Sequence, residues 1–216
     1  MERLKQDILS LGAIVEDDVR KAVQSLENKD SSLAEQVIRG DMDVDQAEVN
    51  LEEECLKTLA LHQPVAIDLR FIVSVLKINN DLERIGDLAV NIAERALYLA
   101  EHGDMEVPFD FGEMARLAQK MVKDSLDALV NVDAELARRV CGADDDVDAL
   151  NRQMYISIQE EIREHPERLE GLIHLLSSSR HLERIADHAT NIAEDVVYMV
   201  EGDIIRHHAE DYRHSG

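Results

Sequence analysis

Glu83 and Asp87 stand four residues apart in LERIGDLAVNIAE, Leu82 to Glu94, a spacing that puts two carboxylates one turn apart on a helix. A solvated pair of like charges at that spacing costs only a few tenths of a kcal/mol. One such pair is therefore compatible with an ordinary acidic surface. The spacing recurs, however, as Asp41 with Asp45, Asp144 with Asp148, and Glu183 with Asp187. If the helices carrying the first two pairs run antiparallel through a turn near Gln63, the pairs lie about 18 and 20 residues from that turn, at similar heights. Four carboxylates gathered in this way would raise one another's pKa or be neutralised by a cation, and an all-oxygen donor set suits magnesium, calcium, manganese or iron. The expected site is a metal centre on the flank of a helical bundle, one in each half of the chain. Spacing alone is equally compatible with solvated charges and helix caps.

The residues around these acids read mainly as support. Arg84 and Arg184 lie beside them in sequence and are expected to orient carboxylates through ion pairs. Asn91 and Asn191, one turn beyond the aspartates, are expected to hold structure, with ligand orientation as the alternative. His188 has Leu88 as its counterpart, which argues against a required ligand role. His207, His208 and His214 belong to the terminal segment and read as a tail. Cys55 and Cys141 are isolated, with no C-x-x-C, and read as small buried hydrophobes.

The elements that must position the acids are helices written twice. LERIADHATNIAE, Leu182 to Glu194, repeats the first stretch with changes only at Gly86/Ala186, Leu88/His188 and Val90/Thr190. Upstream, DMDVD answers DDDVD, and Asp30, Leu33, Ala34 and Val37 answer Asp133, Leu136, Ala137 and Val140. Asp30 and Asp133 read as N-caps, and Pro64 and Pro166 mark helix breaks after which a new helix starts with proline in its first turn. The pattern predicts helices over 3–27, 31–62, 65–102, 110–130, 134–164 and 167–203. Leu82, Ile85, Ala89, Ile92, Ala96 and Leu99, matched by Leu182, Ile185, Ala189, Ile192, Val196 and Met199, form a seam at spacings of three and four. The acids fall off that seam, at positions facing outward or into a groove with a neighbouring helix.

Composition limits the function classes. A net charge of −23 without a basic stripe argues against nucleic acid and against direct attachment to anionic lipid, so any membrane role would pass through a protein. No apolar run approaches bilayer length, and the chain is expected to be soluble and cytoplasmic. Three prolines, nine glycines and 3% aromatics point to an all-α fold.

The run LALHQPVAIDLRFIVSVLKINNDLERIGDLAVNIAE, Leu59 to Glu94, together with HLERIADHATNIAEDVVYMVEG, His181 to Gly202, closely resembles the PhoU family of phosphate-signalling proteins. The resemblance implies two tandem antiparallel three-helix bundles, here repeats 1–105 and 106–216. It also implies that Glu/Asp-x-x-x-Asp motifs hold multinuclear metal clusters, iron or zinc. These motifs correspond to Asp41 with Asp45, Glu83 with Asp87, Asp144 with Asp148, and Glu183 with Asp187. A further implication is a non-enzymatic, dimeric adaptor between a PstB-like ATPase of the phosphate ABC transporter and a PhoR-like sensor histidine kinase, repressing the phosphate-starvation response and restraining uptake. The Leu88/His188 and Val90/Thr190 differences imply unequal clusters. The competing readings are a carboxylate-bridged metalloenzyme and a metal-independent scaffold. The Glu-x-x-His spacing of di-iron oxidases does not occur, and no glycine-rich phosphate loop is present, so phosphate sensing would be indirect.

Overall fold

A computed structural model describes residues 1–102 and 111–202. The expected boundary between repeats at 105/106, and the histidines of the terminal segment, lie outside them. The described residues form six α-helices: α1 Glu2–Asn28, α2 Ser31–His62, α3 Ile67–Glu101, α4 Phe111–Asn131, α5 Ala134–Glu164 and α6 Leu169–Glu201. A 3-10 turn, Pro166–Arg168, leads directly into α6.

Local chemistry accounts for the matching breaks. Asp30 accepts from the amides of Ser32 and Leu33 at 3.0 and 3.1 Å, and Asp133 from Leu136 at 2.9 Å, which supplies partners for amides the helix leaves free. The residues before these caps, Lys29 and Val132, adopt left-handed conformations with φ of 53° and 55°. The following amides return to Ser25 and Ala128 carbonyls, both at 2.9 Å, closing the preceding helices in the same way. Pro166 initiates its turn as its fixed φ favours. Pro64 does not do so: Gln63 and Ala66 take φ of 45° and 46°, the chain between them is irregular, and α3 starts at Ile67 rather than 65.

Every residue of the expected seams on α3 and α6 is buried. Within each repeat all three helices pack on one another, and the repeats join through α3 against α6 and α1 against α4. The α3–α6 pair is antiparallel: Ser74 and Lys77 meet Asp195, Asp81 meets His188, and Tyr98 meets Glu170, so ascending numbers on one helix match descending numbers on the other. On the opposite side α1 approaches α4 at Gly12, where a methyl group would come within 2.8 Å of Leu126 Cδ2. The two bundles therefore share one continuous core.

Candidate metal centres

In α2, Asp41 and Asp45 lie in the first half of the helix, while Glu83 and Asp87 lie midway along α3. Antiparallel packing brings the pairs opposite each other, and the electrostatics run across the gap in both directions. Burial, followed by the charges of Asp45 and Asp87, raises the Asp41 pKa. Burial, Asp87 and then Asp45 and Glu48 raise that of Glu83 against the opposing pull of Arg84. Glu83 Oε2 is buried, accepts no hydrogen bond, and lies 3.3 Å from Arg84 Nε. Arg84 also donates to Asp87 at 3.3 Å, as expected of an orienting cation.

The second repeat builds the same quartet on α5 and α6. Burial, then Asp187, Asp148 and Asp145, push the Asp144 carboxyl up to about 6. Glu183 is raised by burial, Asp148 and Asp144, and Asp187 by burial, Glu183 and Asp148. All eight sequence-predicted acids thus fall into two groups, each contributed by two helices.

Neither group is closed. Among the described residues, the trio whose ligand atoms all lie within 4.8 Å of one another is Glu161, Glu164 and His165 at the end of α5, away from both quartets. There Glu161 accepts from Arg168 at 2.9 Å and His165 Nδ1 meets Glu167 at 3.1 Å, so the trio is engaged in ion pairs of its own. The quartets keep their oxygens further apart, as repelling carboxylates should. An oxygen-only donor set, raised carboxyl groups and a buried Glu83 oxygen that accepts no hydrogen bond are the features a hard cation would satisfy.

Asn91 bonds the Asp87 carbonyl of its own helix at 2.7 Å, which is the structural role. His188 and Asn191 reach Asp81 on α3 at 2.8 and 3.3 Å, placing them on the seam between repeats. Glu48, which sequence spacing could have identified as the next step of the Asp41–Asp45 stripe, sits at the edge of the first quartet. Asn79, 1% exposed, donates to its carbonyl at 3.0 Å and its carboxylate at 3.2 Å. The corresponding contact in the second repeat is Ser179 to Asn151 at 3.0 Å, with the charge removed. Both cysteines are free, with thiols raised by burial to about 11 and about 12.

Comparison with known proteins places this arrangement. A family model described as PhoU domain matches residues 8–96 and again 111–196. A Pseudomonas aeruginosa protein named phosphate-specific transport system accessory protein PhoU homolog is 40% identical over 96% of this chain and 86% of its own length. An Aquifex aeolicus protein of the same name is 39% identical over 96% of this chain and 94% of its own. The crystal structure of PhoU from Pseudomonas aeruginosa superposes with a TM-score of 0.90 at 40% identity, covering 94% of this chain and 97% of that one. That of the phosphate transport system regulatory protein PhoU from Streptococcus pneumoniae gives 0.82 at 32%, covering 94% and 96%.

Proposed function

The chain belongs to the PhoU family, and from that premise we propose that it is a cytoplasmic, metal-binding adaptor of phosphate transport and signalling. Its relatives are named as accessory proteins of the phosphate-specific transport system, which supports a role in regulating phosphate transport. The finer reading is that it contacts a PstB-like transporter ATPase and a PhoR-like sensor histidine kinase as a homodimer, restraining uptake and repressing the starvation response when phosphate is plentiful. Among the described residues no helix is long and apolar enough to cross a membrane, in keeping with membrane contact through those partners.

The observation that carries the metal-binding part is the twofold occurrence of four carboxylates facing one another across two helices. Asp41, Asp45, Glu83 and Asp87 would hold one cluster and Asp144, Asp148, Glu183 and Asp187 the other. Iron or zinc is favoured by family resemblance, while the oxygen donors also suit magnesium or manganese. The bound cations would supply positive charge that cancels the repulsion and ties α2 to α3 and α5 to α6. Arg84 orients the first set through both of its acids. The role is that of an adaptor rather than an enzyme.

Titration of the purified chain against the transporter ATPase and the kinase cytoplasmic region, metal-loaded and apo, tests the reading. Binding that requires metal supports the adaptor. Equal binding by the apo protein and by a variant lacking all eight acids would favour a metal-independent scaffold.

A further inference from the structure

Asn79 on α3 is 1% exposed, and its partners orient its amide. Its Nδ2 donates to the Glu48 carbonyl at 3.0 Å and to Glu48 Oε1 at 3.2 Å. Both of these are acceptors, so the nitrogen must face them and the amide cannot be turned over. Asn79 Oδ1 is then left buried without a donor. One turn further along α3, Glu83 Oε2 is also buried and accepts no hydrogen bond. Buried acceptors normally have partners, and a cation would satisfy oxygens on successive turns of one helix face.

Contacts fix the register in which α2 meets this stripe. Glu48 touches Asn79, and four residues before Glu48, Val44 lies against Gly86, where a Cβ would come within 3.2 Å of Val44 Cγ1. Asp45 and Glu83 fall between those two points of contact on their helices. Asp41, Asp45 and Glu48 follow one another at spacings of four and three, a single stripe of α2. Glu48 therefore extends the line of acids that faces Glu83, and its half-buried carboxylate is held by a neutral amide. Asn79 engages Oε1 alone, which fixes the side chain and leaves Oε2 for another partner. An outer residue orients a metal ligand in this way.

The second repeat supplies the contrast. At the same register Asn151 replaces Glu48 and Ser179 replaces Asn79, and the serine hydroxyl donates to Asn151 at 3.0 Å. Two neutral groups satisfy each other there, and the stripe begun by Asp144 and Asp148 has no carboxylate at its next position.

We infer that Glu48 is a fifth carboxylate ligand of the first metal centre and that Asn79 is the residue that positions it. The inference rests on the metal-binding reading of Asp41, Asp45, Glu83 and Asp87. It gives the first centre a donor with no counterpart at that register in the second.

Metal-free full-length protein titrated with Mn(II), with free ion counted by its paramagnetic resonance signal, tests this in two backgrounds. Glu183→Ala with Asp187→Ala leaves the first centre to report alone, and Glu83→Ala with Asp87→Ala the second. In the first background Glu48→Gln, which keeps an acceptor for Asn79 but removes the charge, is expected to weaken Mn(II) binding at least about tenfold. In the second background it is expected to leave binding unchanged. Asn79→Ser, copying Ser179, should weaken the first centre as well. Adding it to Glu48→Gln should cost nothing further, because it acts through Glu48. Should Glu48→Gln fail to fold, Glu48→Asn, copying Asn151, carries the same expectation. Unchanged affinity at a first centre that binds Mn(II), or equal weakening in both backgrounds, would overturn the ligand role of Glu48 and leave the quartets standing. Full additivity of the Glu48 and Asn79 losses would overturn the positioning role of Asn79. No Mn(II) bound by the wild-type chain would overturn both this inference and the metal-binding reading.

Discussion

The two repeats surround their quartets with different side chains, the second adding Asp145 where the first has Met42. Glu48 beside Asn79 becomes Asn151 beside Ser179, Asp18 becomes Met121, and Val90 becomes Thr190 next to Asp144. In both repeats burial and neighbouring carboxylates raise the first acid of the pair, that of Asp144 being pushed up to about 6 and that of Asp41 raised. Duplication has preserved where the helices place their acids and altered what surrounds them. The lesson is that backbone geometry and local polarity vary independently, since a surface-facing groove tolerates side-chain exchange that a seam of interlocked apolar residues does not.

The largest effect expected is on metal content. Replacing Glu83 and Asp87 by alanine should remove the metal held by the first quartet only, Glu183 and Asp187 that held by the second, and all four together the metal of both quartets. Elemental analysis of protein never exposed to chelator or affinity resin measures this. Identical metal content in both pair variants and the wild type would abolish the comparison.

Next comes the pH dependence of the metal-free protein. The Asp144 pKa is raised from 3.8 in the unfolded chain to about 6 in the fold, so its contribution is fully present below pH 3.8 and lost as pH rises through about 6. Asp144→Asn should therefore flatten the fall in thermal stability between pH 4 and 8. After discounting for solvent screening it should stabilise the apo chain at pH 8 by about 1–2 kcal/mol. With metal bound the trend should reverse, because protons compete for the ligand oxygens.

A smaller change is expected at the seam between repeats. His188→Leu, which copies Leu88, leaves Asp81 with the longer Asn191 bond and should cost about 1–2 kcal/mol in chemical denaturation. The smallest contrast is between the caps. Asp30 accepts from two amides and Asp133 from one, so Asp30→Ala should cost about 1 kcal/mol and Asp133→Ala a few tenths less, read from paired unfolding curves.

Much of this was legible in the chain itself because its cause is local. Asp30 and Asp133 cap helices through amides two and three residues away, and apolar spacing of three and four dictates which stripe of α3 and α6 is buried. The acid pairs were legible for the same reason, one turn of helix being enough to put each pair on one face. The start of α3 was not, because proline restricts its own φ but does not dictate whether the left-handed residues Gln63 and Ala66 will flank it.

What only the tertiary structure decided depends on contacts between helices distant in sequence. Asp18 on α1 lies twenty-two residues before Gly40 on α2, and nothing in the order of residues says that the two meet. The antiparallel docking of α3 on α6, which engages His188 with Asp81 and merges two bundles into one core, likewise required the packing of whole faces. The sequence by itself determined the helices, their caps, the duplication and the four acid pairs, since each is an interaction within a few residues or a pattern of period 3.6. The pairing of those acids into quartets, the burial of a Glu83 oxygen without a hydrogen bond and the burial of Asp18 against Gly40 were decided by how long helices come to lie side by side.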